Sequence, residues 1–245
     1  MNILALDCAT SVLGIAVYRG AQSASLHPKH PYASANGHNP LPGVVQVHID
    51  AGYRHAERIL QGTEYCLEEA GLSIDDIDLF ACTGGPGSFT GLRIAASTIK
   101  GFSLSKQKPY VFVPTLDAYA YGLEAMCPVI VPLIDAKRGH FYFSVYKKGV
   151  RVKGAFDAPL AKVLEIIMGE TQVLFTGPDA ELIENAILEH PGFFIYPSAH
   201  TSAAYNTLIL AEKIFNEQGP AKEDSGPDYL RLSNAEEAQQ SNDRS

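Results

Sequence analysis

A glycine-rich segment, TGGPGSFTGLR at residues 83–93, is the part of this 245-residue sequence that most resembles a phosphate-binding loop. It lies between an apolar run that predicts a strand and an amphipathic run that predicts a helix. A P-loop, G-x-x-x-x-G-K-[ST], needs a Gly-Lys pair, which the segment lacks. A dinucleotide fingerprint, G-x-G-x-x-G, needs a third glycine where Thr90 stands. Both standard nucleotide motifs therefore fail.

The same glycines have a structural interpretation. Gly85 and Gly87 allow positive φ and close backbone approach, and Pro86 fixes one dihedral angle. Ser88 can cap the amides that open the next helix. Gly91 lowers helix stability but lets another backbone come close. Anion binding by the free amides of the helix N-terminus stays open as an alternative.

Hydrolytic chemistry has little support in the sequence. A zinc site of the H-x-x-x-H type needs histidines four residues apart, and none of the eight histidines has that spacing. If Ser88 is aligned with the nucleophile of G-x-S-x-G, the second glycine comes one residue late. Asp7 and Asp135 each end a predicted strand at a hairpin turn. There a carboxylate could hold a metal and phosphate, or could cap its own turn.

The two aspartates belong to a unit that occurs twice. An apolar strand, an aspartate, a short polar turn and a second strand occupy residues 3–18 and again residues 129–146. Asp7 and Tyr18 are eleven residues apart, and so are Asp135 and Tyr146. Farther along each half, an apolar strand ends in Thr-Gly before a helical stretch. The repetition predicts an internal duplication of a strand-and-helix unit.

Two predicted helices carry wide apolar faces. The helix from about residue 54 to 70 has an apolar stripe at spacings of three and four, and His55 lies one turn before it. The helix at 91–106 is apolar around most of its circumference, which is typical of burial on two sides. One side would face the sheet and the other a helix or another subunit. A third helix, at about 201–215, precedes a polar linker.

Composition limits the function further. The net charge of −8 argues against a protein that binds nucleic acid unaided, while 46% apolar residues allow a substantial core. The four scattered cysteines form no C-x-x-C pair, so we expect buried thiols in a reducing compartment. The N-terminus has no signal-peptide pattern and no apolar run reaches the ~18 residues of a membrane span, which predicts a cytoplasmic protein.

The duplicated unit resembles the actin, sugar-kinase and Hsp70 superfamily, whose two RNase-H-like halves clasp ATP. Within it, four segments resemble the TsaB (YeaZ) family, a bacterial component of the machinery that makes tRNA threonylcarbamoyladenosine. They are GPGSFTGLR (85–93), IDAKRGH (134–140), HAERIL (55–60) and YLR (229–231). The chain departs from the family pattern at residues 27–43, which look longer, and at His140, where an acidic residue is usual.

The resemblance implies an α/β fold of two RNase-H-like subdomains from an internal duplication, with mixed sheets flanked by helices. The corresponding division is a first subdomain at 1–108, a second and reduced one at 109–218, and a linker with a mobile tail at 219–245. The helix at 201–215 is expected to pack back on the first subdomain.

The resemblance also implies a non-catalytic scaffold or activating subunit. Such a subunit pairs with TsaD and acts with TsaE in transfer of a threonylcarbamoyl group to adenosine beside the anticodon. No catalytic residue, metal or tightly bound cofactor is expected in this chain alone, although ATP at a subunit junction stays open. Contact with tRNA would be indirect, and the free chain could form a homodimer. The alternatives are an autonomous ATPase or kinase that uses Asp7 and Asp135, or a peptidase that acts on its partner.

Two sets of residues carry the predicted pairing. The helices at 54–70 and 91–106 are expected to form the partner surface, and the signature loop (residues 85–93) is expected to position it. The partner residues are His55, Ile59, Thr63, Cys66, Leu67, Leu92, Ile94, Ala95, Ile99 and Phe102, and the loop residues are Gly85, Pro86, Gly87, Ser88, Thr90, Gly91 and Arg93.

Overall fold

The computed structural model describes residues 1–20, 43–52, 54–198 and 200–230, which form two five-stranded sheets and the helices around them. The first sheet has the order β3-β2-β1-β4-β5. Its elements are β1 (Ile3–Asp7), β2 (Val12–Tyr18), β3 (Val44–Asp50), α1 (His55–Glu69), β4 (Leu79–Thr83), α2 (Phe89–Lys106), β5 (Tyr110–Val113) and α3 (Thr115–Ala120).

The second sheet has the order β10-β9-β6-β7-β8. Its elements are β6 (Val129–Lys137), β7 (His140–Lys147), β8 (Val150–Pro159), α4 (Leu160–Ile166), β9 (Val173–Thr176), α5 (Glu184–Ile187) and β10 (Phe193–Ile195), and α6 (Ala204–Gln218) follows. Short 3₁₀ turns cover Ile74–Asp76 and Ala180–Ile183.

The two sheets have the same topology, which confirms the predicted duplication into RNase-H-like halves. In each sheet the first strand pairs antiparallel with the second and parallel with the fourth. The two hairpins differ by one residue in register, because Tyr18 pairs with Ile3, four residues before Asp7, whereas Tyr146 pairs with Ile130, five residues before Asp135. The equal spacing in sequence therefore marks related but not identical hairpins.

The first sheet is covered by helices on both faces. On one side Leu4 and Leu6 of β1 pack in a cluster with residues of α1 and α2. On the other side Ile3 and Ala5 pack with residues of α3 and α6. A strand buried on both faces needs a continuous apolar run, which is why β1 shows no alternation. The four cysteines are free thiols and all are buried, as expected for small apolar side chains.

The predicted boundary between residues 108 and 109 is wrong. Strand β5, which begins at Tyr110, pairs with β4 and completes the first sheet. Helix α6 packs on the first sheet, the position expected for the helix at 201–215, although it follows the second sheet in the chain.

The segment at 219–230 is not a free linker. The Ala221 N–H donates to the Tyr110 carbonyl (2.8 Å) and the Asp228 N–H to the Gly84 carbonyl (2.7 Å). Its polar composition concealed these contacts because they are made by the main chain. The expected tail at 231–245 and the loop at 27–42 lie outside the described residues.

Candidate functional site

The signature loop connects β4 to α2, and its main chain is occupied by contacts within the protein. A phosphate cradle needs several free amides that point at one centre. Here four amides of residues 84–91 already have acceptors, which supports the structural interpretation of the loop. The Gly84 N–H donates to the Val113 carbonyl (2.7 Å) and the Gly85 N–H to the Thr115 hydroxyl (3.0 Å). The Ser88 N–H donates to the Ala9 carbonyl (2.7 Å) and the Gly91 N–H to the Ser88 hydroxyl (3.3 Å).

Close backbone approach explains the glycines of the loop. Gly85 has φ +111°, and a Cβ there would lie 2.2 Å from the Asp228 carbonyl oxygen. A Cβ on Gly91 would lie 1.9 Å from the Cys8 carbonyl oxygen, so α2 begins directly against the turn after β1. The sequence indicated close approach at these positions but could not identify the backbones that approach.

Asp7 is fully buried (0% exposed) and serves the fold. Its Oδ1 accepts hydrogen bonds from the Ala9 N–H (3.0 Å) and the Thr83 hydroxyl (2.9 Å), and its Oδ2 accepts one from the Ala203 N–H (2.7 Å). Burial raises the pKa of this carboxyl, partly offset by those hydrogen bonds. Asp7 therefore caps its own turn and fixes the start of α6, and both of its carboxylate oxygens are used inside the fold.

Asp135 has a different environment at the equivalent position. Its Oδ1 accepts from the Lys137 N–H and its Oδ2 pairs with Lys137 Nζ, both at 2.7 Å. Its own N–H donates to Asp179 Oδ2 at 2.8 Å, and burial raises the pKa of the Asp179 carboxyl. Among the described residues, no three His, Cys, Asp or Glu side chains are arranged to hold a metal ion.

A cleft of about 590 Å³ separates the two halves. The turn at 9–11, the signature loop, the β6–β7 hairpin and the last described residues, 228–230, line it. This is where the superfamily resemblance would place ATP. The residues present do not fit that role, because four of the loop amides already have acceptors within the protein and Asp7 is buried beneath the cleft.

Most of the predicted partner residues lie in the core rather than on a surface. Eight of the ten are 0–7% exposed, because the apolar stripes of α1 and α2 face their own sheet. This corrects the prediction, since periodicity identifies an apolar face but not what covers it. The eight are His55, Ile59, Thr63, Cys66, Leu67, Leu92, Ala95 and Ile99. His55 Nε2–H donates to the Thr10 carbonyl at 2.8 Å, so it joins α1 to the same turn that α2 contacts.

A different face of the same two helices forms an open groove of about 730 Å³, the α1–α2 groove. Ile94 and Phe102, two of the predicted partner residues, line it, and so does Leu60, which is 59% exposed. The one feature of the sequence that pointed to this face was a pair of small residues on α2, Ser97 and Gly101, which are four positions apart. The groove is lined by Ala56, Ile59, Leu60, Phe89, Thr90, Arg93, Ile94, Ser97, Thr98, Gly101 and Phe102.

The C-terminal segment (residues 220–230) reaches one end of this groove. The Tyr229 ring packs on Phe89 with ring centroids 4.7 Å apart. The Arg93 guanidinium lies over the Phe89 ring at 3.9 Å, and its Nε–H donates to the Tyr229 hydroxyl at 3.4 Å. The YLR and GPGSFTGLR segments thus contact each other, although they are far apart in the sequence. The sequence alone gave no indication of this contact. Arg231 lies outside the described residues.

Comparison with known proteins bears on the family. The model of the family "TsaD: tRNA N6-adenosine threonylcarbamoyltransferase" matches residues 33–237. The tRNA threonylcarbamoyladenosine biosynthesis protein TsaB of Escherichia coli is 30% identical, over 94% of this chain and 95% of that protein. The chain belongs to the TsaB family. The TsaB protein of Bacillus subtilis is 28% identical over 96% of both chains.

Solved structures agree with the TsaB fold. The structure of YeaZ from Pseudomonas aeruginosa superimposes with a TM-score of 0.72 at 20% identity, covering 94% of this chain and 99% of that one. In the described part of the chain, no helix is both long and apolar enough to cross a membrane.

Proposed function

We propose that this TsaB-family chain is a non-catalytic subunit in the biosynthesis of tRNA threonylcarbamoyladenosine. It binds a TsaD-type threonylcarbamoyltransferase through the α1–α2 groove and, with TsaE, supports transfer of the threonylcarbamoyl group to adenosine in the cytoplasm. The groove is the observation that carries the proposal, because it is a continuous, largely apolar surface on the outside of the first half.

The shape of the groove suits a helix from a partner. Leu60, Ile94 and Phe102 offer apolar area to bury, and large exposed apolar surfaces usually mark interaction sites. A Cβ on Gly101 would meet nothing within 4 Å, so the middle of α2 leaves space for a neighbouring backbone. TsaD-type proteins are suitable partners because they share the family model with this chain and so present related helices.

The engaged polar groups support a non-catalytic role. Asp7, Asp135 and Ser88, the candidates for metal, phosphate or nucleophilic chemistry, all hold the chain's own turns or helix ends. Any ATP would need groups from a second subunit at a junction. Because the net charge is −8, we expect tRNA to be held mainly by the partners.

The direct test is association with a TsaD-type protein, measured by co-purification and analytical ultracentrifugation. Leu60→Glu places a charge in the groove and should abolish the complex. Leu104→Glu is the matched control, since Leu104 is 84% exposed on α2 and does not line the groove. Wild-type chain that fails to bind would refute the proposal, and equal binding by both variants would refute the surface.

A second assay tests the role itself. Threonylcarbamoyl transfer to tRNA is reconstituted from the TsaD-type and TsaE-type proteins with and without this chain. We expect transfer only when the chain is present, and Leu60→Glu should behave as if it were absent. Steady ATP hydrolysis by the isolated chain that Asp7→Ala abolishes would instead favour an autonomous ATPase. Sedimentation of the chain alone shows whether the same groove forms a homodimer, which Leu60→Glu would disrupt.

A further inference from the structure

The α1–α2 groove carries its charge at one place. Among the described residues that line it, Arg93 is the single ionisable side chain, and all the others are apolar, small or hydroxyl-bearing. Arg93 is exposed and lies at the start of α2, where the groove meets the C-terminal segment. A partner that fills an apolar groove must meet this cation, and an unmatched buried charge is costly.

The Arg93 side chain is held in place before any partner arrives. Its guanidinium stacks on Phe89 at 3.9 Å, and Nε–H is bound to the Tyr229 hydroxyl at 3.4 Å. This is the one hydrogen bond of the Arg93 side chain to another described residue, so no described residue accepts from its two terminal nitrogens. Preorganisation lowers the entropy that ordering a long side chain would cost.

Tyr229 is itself anchored by the C-terminal segment. The Asp228 N–H donates to the Gly84 carbonyl (2.7 Å), Lys100 Nζ to the Glu223 carbonyl (3.0 Å), and the Tyr110 hydroxyl to the Lys222 carbonyl (2.7 Å). The segment thus runs along the first half from the β5 edge to the groove. Its last described residues include Tyr229, which contacts the Arg93 side chain.

We propose that Arg93 is the specificity-determining anchor of the groove and that it forms a bidentate salt bridge with a carboxylate of the partner. Tyr229 is the residue that positions the Arg93 side chain. The inference rests on the proposed function, since it names the chemistry that the partner presents at the same groove. A planar guanidinium with two terminal nitrogens matches a carboxylate bidentately, which a lysine cannot do. Exclusion of water by the apolar residues around it would strengthen that pair.

The test measures the Kd for a TsaD-type protein by isothermal titration calorimetry. We expect Arg93→Gln to weaken binding by about tenfold or more and Arg93→Lys to recover only part of that loss. Arg93→Glu should weaken it at least another tenfold, because it places like charges together. Tyr229→Ala should weaken binding severalfold, whereas Tyr229→Phe, which keeps the stacked ring, should lie closer to wild type.

Arg58→Gln is the matched control, since Arg58 is an exposed arginine of α1 that lines a different depression, beside β3. It should leave the Kd unchanged, and thermal unfolding checks that every variant is folded. Equal affinities of Arg93→Gln and Arg93→Glu would mean that no carboxylate faces Arg93, and unchanged affinity of Arg93→Gln would exclude the anchor. Unchanged affinity of Tyr229→Ala would exclude its positioning role. Failure of the wild-type chain to bind would refute the proposed function instead.

Discussion

Ile99→Ala and Leu60→Ala should separate the core face of the two helices from their docking face. Ile99 is 0% exposed in the cluster beneath the first sheet, so its truncation loses buried methyl groups and leaves a cavity. Comparable changes cost about 2–5 kcal/mol of unfolding free energy. For a chain of this size, a loss of about 3 kcal/mol lowers the Tm by about 6–12 °C. Leu60 is 59% exposed, and alanine suits a helix, so Leu60→Ala should change stability by less than about 0.5 kcal/mol.

Partner affinity should show the opposite pattern. Docking would bury the exposed part of the Leu60 side chain, which contributes about 1–1.5 kcal/mol, or about tenfold in Kd. Ile99 does not line the groove, so Ile99→Ala should leave the Kd within about twofold when it is measured well below the lowered Tm. Urea unfolding gives the stabilities and titration calorimetry with a TsaD-type protein gives the affinities. If Leu60→Ala destabilises the fold, or Ile99→Ala alone weakens binding, the assignment of the two faces is wrong.

Substitutions at Gly91, Ser88 and Asp7 test the turns around the site. Gly91→Ala should destabilise the chain by more than about 3 kcal/mol, because its Cβ would meet the Cys8 carbonyl. Gly101→Ala in the same helix should instead stabilise the chain by about 0.5–1 kcal/mol, and urea unfolding measures both changes. Ser88→Ala should cost about 1 kcal/mol by removing the N-cap of α2, and Ser88→Asp should restore most of it in the same assay. Asp7→Asn should cost about 2 kcal/mol or more, since an amide cannot accept all three hydrogen bonds. Burial raises the pKa of Asp7, so the folded chain holds this proton more tightly and the Asp7 contribution grows as pH falls through that pKa. Unfolding at several pH values should therefore show the deficit of Asp7→Asn widening toward acid, and a deficit that shrinks would contradict the raised pKa.

Local patterns in the sequence were sufficient for the fold and for the limits of α1 and α2. The repeat of strand, aspartate and turn predicted two related halves, and the structure has two sheets of the same strand order. The prediction was possible because each half carries its own apolar strands and its own turn residues. The boundary between the halves was not predictable in this way. Strand β5 is short, and only its pairing with β4 shows which sheet it joins.

The docking surface could not be read from hydrophobicity. An apolar stripe such as Ile59 and Cys66 has the same periodicity whether a sheet or a partner covers it. The exposed face instead carries Leu60 beside small residues, which is a weaker signal. The contact between Tyr229 and Phe89 was also inaccessible, because 140 residues separate them and no periodicity links such distant positions.

Helix α6 has a consequence for how the chain reaches its native state. It supplies Ala204, Leu208 and Ala211 to one face of the first sheet, yet it is synthesised after the whole second sheet. Until residue 218 has left the ribosome, β1 and β4 lack the part of their apolar covering that α6 supplies, so we expect the N-terminal half not to complete its folding as a separate unit during translation. Contacts across about 200 residues also predict slow folding. A fragment that ends before α6 should remain open and aggregate, however well its own strands are paired.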